Sequence, residues 1–230
     1  MIFRQLFDHT SHTYTYLLAE RHGGEALLID PVLENTARYV RLLEELDVKL
    51  VMAADTHIHA DHVTALGALR DQTGCASAMG AMTRAECVSV HFNEGEKLCV
   101  DNLHLDVLYT PGHTDDSYSF LLPGRVFTGD TLLIRGTGRT DFQNGDPAAQ
   151  YDSLFGRLLT LPEDTLVYPA HDYNGMTVST IGEEKRHNPR LQVDDKQAYI
   201  ELMNGLELDD PKLMDIAVPA NRACGTRRAA

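Results

Sequence analysis

At 230 residues with a formal net charge of −14, the chain is long enough for one large core and too acidic to hold a nucleic acid, which needs clustered Lys and Arg. No apolar run approaches the roughly 20 residues that cross a bilayer, and Met1-Ile2-Phe3-Arg4-Gln5 lacks the apolar core of a signal peptide, so no membrane partner and a cytoplasmic location are expected. The four cysteines, Cys75, Cys87, Cys99 and Cys224, form no CxxC pair and read as free thiols rather than as a disulfide framework.

Residues 2 to 30 give three strand-like pieces, among them Thr13 to Leu18 and the buried type of run Ala26-Leu27-Leu28-Ile29-Asp30, with a turn at His22-Gly23-Gly24. Asn35 to Leu46 is an amphipathic helix whose apolar face carries Val40, Leu43 and Leu46. Lys49 to Ala54 is a short buried strand that opens into a polar loop, and Val63 to Leu69 is helical. Short strands return over 75 to 110, where Leu103 to Val107 alternates and turns His104 to solvent. Ser117 to Leu122 and Arg125 to Thr128 form a hairpin around Pro123-Gly124, and 132 to 146 is a long polar loop. Asp146-Pro147 opens a helix to about Leu159, with Asp146 as its N-cap. Thr165 to Tyr168 is the last clear strand, and Thr177 to Arg186 and Asp194 to Met203 are helical. The expected organisation is one domain over 1–230 without a linker, ending in a mobile tail after about 219.

The chemistry concentrates at Asp55-Thr56-His57-Ile58-His59-Ala60-Asp61-His62, where three histidines and an aspartate fall within six positions at a strand end. Imidazole and carboxylate are the ligands that Zn, Fe and Mn accept. One histidine is usually a surface or core residue, but this density points to a metal site. His9, His12, His91, His104 and His187 have no such pattern and read as non-ligands.

His-x-His-x-Asp-His resembles the motif of the metallo-β-lactamase superfamily, and the later ligands of that superfamily follow in order. They are His113 in Thr110-Pro111-Gly112-His113, Asp130 in Thr128-Gly129-Asp130 and His171 in Pro169-Ala170-His171, each after an apolar run. The resemblance implies an α/β (α+β) chain folded as the αββα sandwich of the superfamily; composition alone implies only mixed α and β. The ligand inventory permits two metals, with His57, His59 and His113 on one, Asp61, His62 and His171 on the other, and Asp130 between them. Two metals suit hydrolysis of a thioester, a reading that resembles glyoxalase II.

A longer resemblance favours another branch. Arg135-Gly136-Thr137-Gly138-Arg139-Thr140-Asp141-Phe142-Gln143, Pro169-Ala170-His171-Asp172-Tyr173 and Asn188-Pro189-Arg190 closely resemble the persulfide dioxygenases. That resemblance implies one Fe(II) per chain held by His57, His113 and Asp130, with His59, Asp61, His62, His171 and Asp172 around it. Two histidines and one carboxylate on one face of iron leave positions open for substrate and O2. Zinc has no redox change to offer oxygen. The implied reaction oxidises glutathione persulfide with O2 and water to sulfite and glutathione, in a homodimer.

Glutathione carries two carboxylates, and the cations placed to receive them are Arg139 and Arg190, because a guanidinium fork fits a carboxylate. Tyr173 is assigned to orient the substrate, and Asp141 and Asp172 to orient their neighbours. The third class weighed is a non-catalytic metal- or sulfur-binding module. The intact His57, His113 and Asp130 argue against it, since such a module has no need of an open redox site.

Overall fold

The computed structural model describes residues 1–208 and 213–225. They fall into two compact units, one of residues 1–105 with the C-terminal residues from 213, the other running on from Asp106.

The first unit is built on a six-stranded sheet in sequence order: β1 (Ile2–Phe7), β2 (Tyr14–Ala19), β3 (Glu25–Ile29), β4 (Lys49–Ala54), β5 (Ala76–Gly80) and β6 (Val90–Phe92). β1, β2 and β3 pair antiparallel, and β3 to β6 pair parallel. β2 is buried at every position, and β3 at all but its first. That is why Ala26 to Ile29 is an unbroken apolar run rather than an alternating one. Between strands lie α1 (Thr36–Glu45) and α2 (Leu66–Thr73). Tyr39 and Leu43 of α1 and Leu66 and Leu69 of α2 pack with Leu17, Leu28, Leu50 and Met79 of the sheet into one core. Fully burying each such side chain contributes roughly 1.5 to 3 kcal/mol.

α2 begins three residues later than the sequence pattern predicts. Thr64 bridges to Val32, and Ala65 N–H donates to Pro31 O at 2.7 Å, so Val63 to Ala65 are committed to the loop.

The second sheet runs in the order β12-β11-β10-β9-β8-β7, from β7 (Lys97–Val100), β8 (Leu103–Tyr109), β9 (Tyr118–Leu122), β10 (Arg125–Gly129), β11 (Leu166–Pro169) and β12 (Ser179–Thr180). β8, β9 and β10 are antiparallel, and the β9–β10 hairpin turns at Pro123-Gly124 as the sequence predicts. β11 lies parallel to β10. The helices of this unit are α3 (Pro147–Gly156), α4 (Ile181–His187) and α5 (Lys196–Asn204). Asp146 caps α3 by accepting from Ala148 N at 2.8 Å, with Pro147 in the first turn. The predicted helix from 177 starts at Ile181, because Ser179 and Thr180 first pair with β11, and Thr180 then caps α4. The core gathers Val126, Leu132, Leu154, Leu158, Val167, Ile181 and Tyr199.

Two expectations are corrected. Cys87 and Cys224 form a disulfide, with Cα atoms 5.9 Å apart across 137 residues of sequence; Cys75 and Cys99 are the free thiols. The residues after 219 are not a mobile tail as far as they are described. Helix α6 (Met214–Asn221) carries them into the first unit, where Ala217, Asn221 and Cys224 are fully buried. Residues 226–230, the rest of that expected tail, lie outside the described residues. No helix among the described residues is long and apolar enough to cross a membrane.

Candidate metal centre

In the first unit, β3 and β4 are adjacent and parallel, so their C-terminal ends release Asp30 and Asp55-Thr56-His57 side by side. Asp30, buried and at φ 52°, accepts from Thr56 N–H at 2.7 Å and from the Thr56 hydroxyl at 3.1 Å. That hydroxyl has then spent its proton, so the 2.9 Å contact between His57 Nδ1 and Thr56 Oγ1 is donated by His57. The lone pair of His57 is thereby on Nε2. His59 donates from Nε2 to Asp30 Oδ1 at 3.1 Å, which leaves its lone pair on Nδ1. His62 Nδ1 faces Asp61 Oδ2 at 3.0 Å and Thr13 Oγ1 at 3.2 Å.

The three imidazoles are packed ring against ring, with centroids 4.1 Å apart for His57 and His59 and 4.3 Å for His59 and His62. Ligand atoms of His59, Asp61 and His62 all lie within 4.8 Å of one another, as do those of Asp30, Asp55 and His59. Burial pushes the Asp30 carboxyl up to about 6, against the pull of His57 and the Thr56 donors.

In the second unit the same arrangement recurs on β10 and β11. A register shift between Phe127 and Gly129, with Gly129 at φ 52°, ends β10 and turns out Asp130. Ala170 N–H donates to Gly129 O at 2.9 Å, so His171 leaves the neighbouring strand beside it. His171 donates from Nδ1 to Asp130 Oδ1 at 2.7 Å. The other carboxylate oxygen, Oδ2, lies 3.6 Å from His113 Nε2. His113 donates from Nδ1 to Arg139 O at 2.8 Å, so Nε2 carries its lone pair. Ligand bonds of 2.0 to 2.2 Å put two neighbouring ligand atoms roughly 3 to 3.6 Å apart. Asp130 Oδ2 and His113 Nε2 therefore have the spacing and the protonation to share one cation. Both units present metal-ligand sets whose tautomers are fixed from behind, and the donors suit a borderline or hard divalent ion.

The polar loop 132–146 is fastened along Arg135-Gly136-Thr137. Buried Glu184 accepts from Arg135 N–H and its guanidinium and from Asn188 Nδ2. Asn188 also donates to Gly136 O at 2.9 Å, and Arg190 Nη1 donates to Thr137 O. The motif Asn188-Pro189-Arg190 thus clamps Gly136-Thr137. Arg139 grips Asp141 with two donors at 2.7 Å, which holds the Asp141 carboxyl below the usual range, and its guanidinium lies 4.4 Å over the Phe142 ring. No carboxylate pairs with Arg190 among the described residues, and burial lowers its pKa. Tyr173 is 64% exposed and stacks on His171 at 6.2 Å between centroids. Asp172 Oδ2 accepts from Asn174 N–H and Met176 N–H at 2.8 and 2.7 Å and so shapes the turn that carries Tyr173.

Sequence reasoning missed three contributors. Asp30 was visible as an acid at the end of an apolar run and directly before Pro31. Gly138 was not: a Cβ there would stand 2.4 Å from Asp130 O and 2.7 Å from the His113 ring. Backbone on one side and the His113 ring on the other cannot both give way, so Gly138→Ala is expected to displace His113. The variant should lose metal and at least ten-fold in kcat/KM, measured as metal content and turnover. The third, Asn221, lies far along the chain from the motif it touches.

Residues 10–98 and 100–171 match the metallo-beta-lactamase superfamily. The chain is 45% identical over 230 residues to the mitochondrial persulfide dioxygenase ETHE1 of Mus musculus, covering 99% of this chain and 90% of that protein. The Homo sapiens protein of the same name is 44% identical over the same shares. Among solved structures, the crystal structure of ETHE1 from Myxococcus xanthus is 54% identical with a TM-score of 0.96, over 98% of this chain and 100% of that one. Motifs, fold and near-complete alignment agree, and the chain belongs to the metallo-β-lactamase superfamily and, within it, to the persulfide dioxygenases.

Proposed function

We propose that this protein oxidises glutathione persulfide with O2 and water to sulfite and glutathione, using one Fe(II) per chain. The observation that carries the reading is identity of 44–45% with named persulfide dioxygenases over 99% of the chain. His57, His113 and Asp130 are the proposed ligands. The support is that each presents a lone pair or carboxylate oxygen whose partner atom is already tied, His57 by Thr56, His113 by Arg139 O and Asp130 by His171. The superfamily match also runs through both units that supply them. Ferrous iron, when bound, supplies the redox chemistry toward oxygen that a closed-shell ion lacks.

The residues of the chain do the orienting. His171 holds Asp130 by one oxygen, and Asp30 holds His59 and Thr56, so the ligand side chains are set before any ion arrives. His59, Asp61, His62, His171 and Asp172 act from around the ion. Arg190, which pairs with no carboxylate among the described residues, is the receptor for a glutathione carboxylate; Arg139 is the second, after exchange with Asp141. Tyr173, an exposed residue stacked on His171, is the proposed contact for the peptide or the sulfur. We further propose that the two units work as one domain, in a cytoplasmic homodimer.

The test is oxygen uptake with glutathione persulfide by the iron-loaded protein. One iron per chain by elemental analysis and stoichiometric sulfite are expected. The hydrolase reading is favoured instead by two metals per chain, because the His59, Asp61 and His62 ligand atoms are close enough to one another to serve a second ion.

A further inference from the structure

The loop that carries His57 to His62 is held from behind by a segment more than 150 residues away in sequence. Asn221, fully buried at the end of α6, donates from Nδ2 to His59 O and to His62 O, both at 2.8 Å. Its Oδ1 accepts from Thr64 N–H at 2.8 Å. One primary amide thus uses both protons and its oxygen on three backbone groups of the motif. No other side chain type does this at the same size: aspartate keeps the acceptor and loses both donors, and leucine loses all three.

The segment has two more fastenings. Gly67 N–H, in the first turn of α2, donates to Cys224 O at 2.9 Å, and Cys224 is bonded to Cys87. Gly225 approaches so closely that a Cβ would stand 2.0 Å from Thr64 O. Cys224 is buried, whereas Cys87 is half-buried, so a small thiol reaches the bond from the Cys87 side.

We propose that residues 213–225 are a latch on the metal-ligand loop, that Asn221 is its positioning residue, and that the Cys87–Cys224 disulfide makes its hold sensitive to thiols. The inference rests on the reading of His57 to His62 as part of a metal site. The redox step is ordinary exchange. A thiolate attacks Cys87 Sγ, the S–S bond breaks, and Cys224 leaves as thiolate and takes a proton. A second thiol resolves the mixed disulfide, so two thiols become one disulfide and both cysteines are reduced. The established chemistry of the family releases a thiol, and cytoplasmic thiols would act the same way.

The experiment uses the iron-loaded full chain. Asn221→Asp and Asn221→Leu are expected to lose iron to a ferrous chelator about ten-fold faster than the parent, in keeping with the effect of removing groups that orient ligands. They should alter the electron paramagnetic resonance of the nitrosyl adduct and lower kcat with KM for the persulfide little changed, since no substrate contact is touched. Cys87→Ser, and the parent treated with dithiothreitol, should shift iron loss the same way, while Cys99→Ser matches the parent. Iron retention, nitrosyl spectrum and kcat all equal to the parent in Asn221→Asp would overturn the proposal, as would a Cys87→Ser holoenzyme that holds iron like the parent. If the Asn221 variants do not fold, hydrogen exchange at the Thr64 amide of the parent decides: faster exchange after reduction supports the latch, and unchanged exchange refutes it. A parent that binds one iron but turns over no persulfide strikes the proposed reaction and leaves these metal measurements readable.

Discussion

Replacing His57, His113 or Asp130 by alanine is expected to remove the iron and nearly all turnover, whereas His59→Ala and His171→Ala keep much of the iron and lose rate. The asymmetry follows from where the protons sit. A ligand set of two histidines and one carboxylate has no spare member, so each deletion leaves an ion with two protein ligands. His171 already donates to Asp130 Oδ1, and His59 to Asp30 Oδ1. Removing either loosens the orientation of a neighbour without deleting a ligand. Such losses typically cost ten- to a hundred-fold in affinity or activity. Iron per chain by elemental analysis, beside oxygen uptake, separates the groups. If His171→Ala arrived as metal-free as His57→Ala, His171 would be a ligand and the single-iron assignment would fall.

How much of this was legible in the sequence depends on the range of the interaction that fixes each residue. The candidate ligand motifs were readable because each comes within a few residues of the end of an apolar run, and a strand end is where a sheet releases side chains into a site. The two parallel pairs, β3 with β4 and β10 with β11, realise the same device twice, with Asp30 and Asp130 in matching places. Asp30 was overlooked because its work, tying Thr56 and His59, needs the pairing of two strands that nothing local announces. Asn221 and the Cys87–Cys224 bond were illegible for the same reason on a longer scale. Their partners lie 157 and 137 residues away, and a mixed composition after Pro219 looks like any surface tail. Gly138 is a steric requirement set by His113 and by the Asp130 backbone, visible only once those approach. The Arg135–Gln143 motif told its family but not its mechanics. Buried Glu184 and Asn188 anchor it, and only the folded loop shows that Arg139 spends its fork on Asp141 while Arg190 uses Nη1 alone, on a carbonyl and a hydroxyl.

That difference sets the second expected result. Arg190→Ala should raise KM for glutathione persulfide with a smaller fall in kcat, because a carboxylate remote from the reacting sulfur is held alike in the ground and transition states. One lost charge-assisted contact costs on the order of 1.5 to 3 kcal/mol, or roughly ten- to a hundred-fold in kcat/KM. Arg139→Ala should cost less, below about ten-fold, because the substrate carboxylate must first displace Asp141 from two good hydrogen bonds, so the net gain on binding is smaller. Arg190→Lys should recover only part of the loss, since an ammonium cannot hold Thr137 O and a carboxylate with one planar fork. The same assay under nitrogen completes the argument. A glutathione handle is common to the dioxygenase and the thioester hydrolase, so the arginine effects alone do not separate them, but the need for oxygen does. The parent is expected to consume one O2 for each sulfite released and to stop when oxygen is withdrawn. Oxygen-independent cleavage of S-lactoylglutathione at an ordinary enzymatic rate, with no sulfite from the persulfide in air, would leave the arginines as anchors for a hydrolase and the two-metal inventory of the motif as the correct reading of the site.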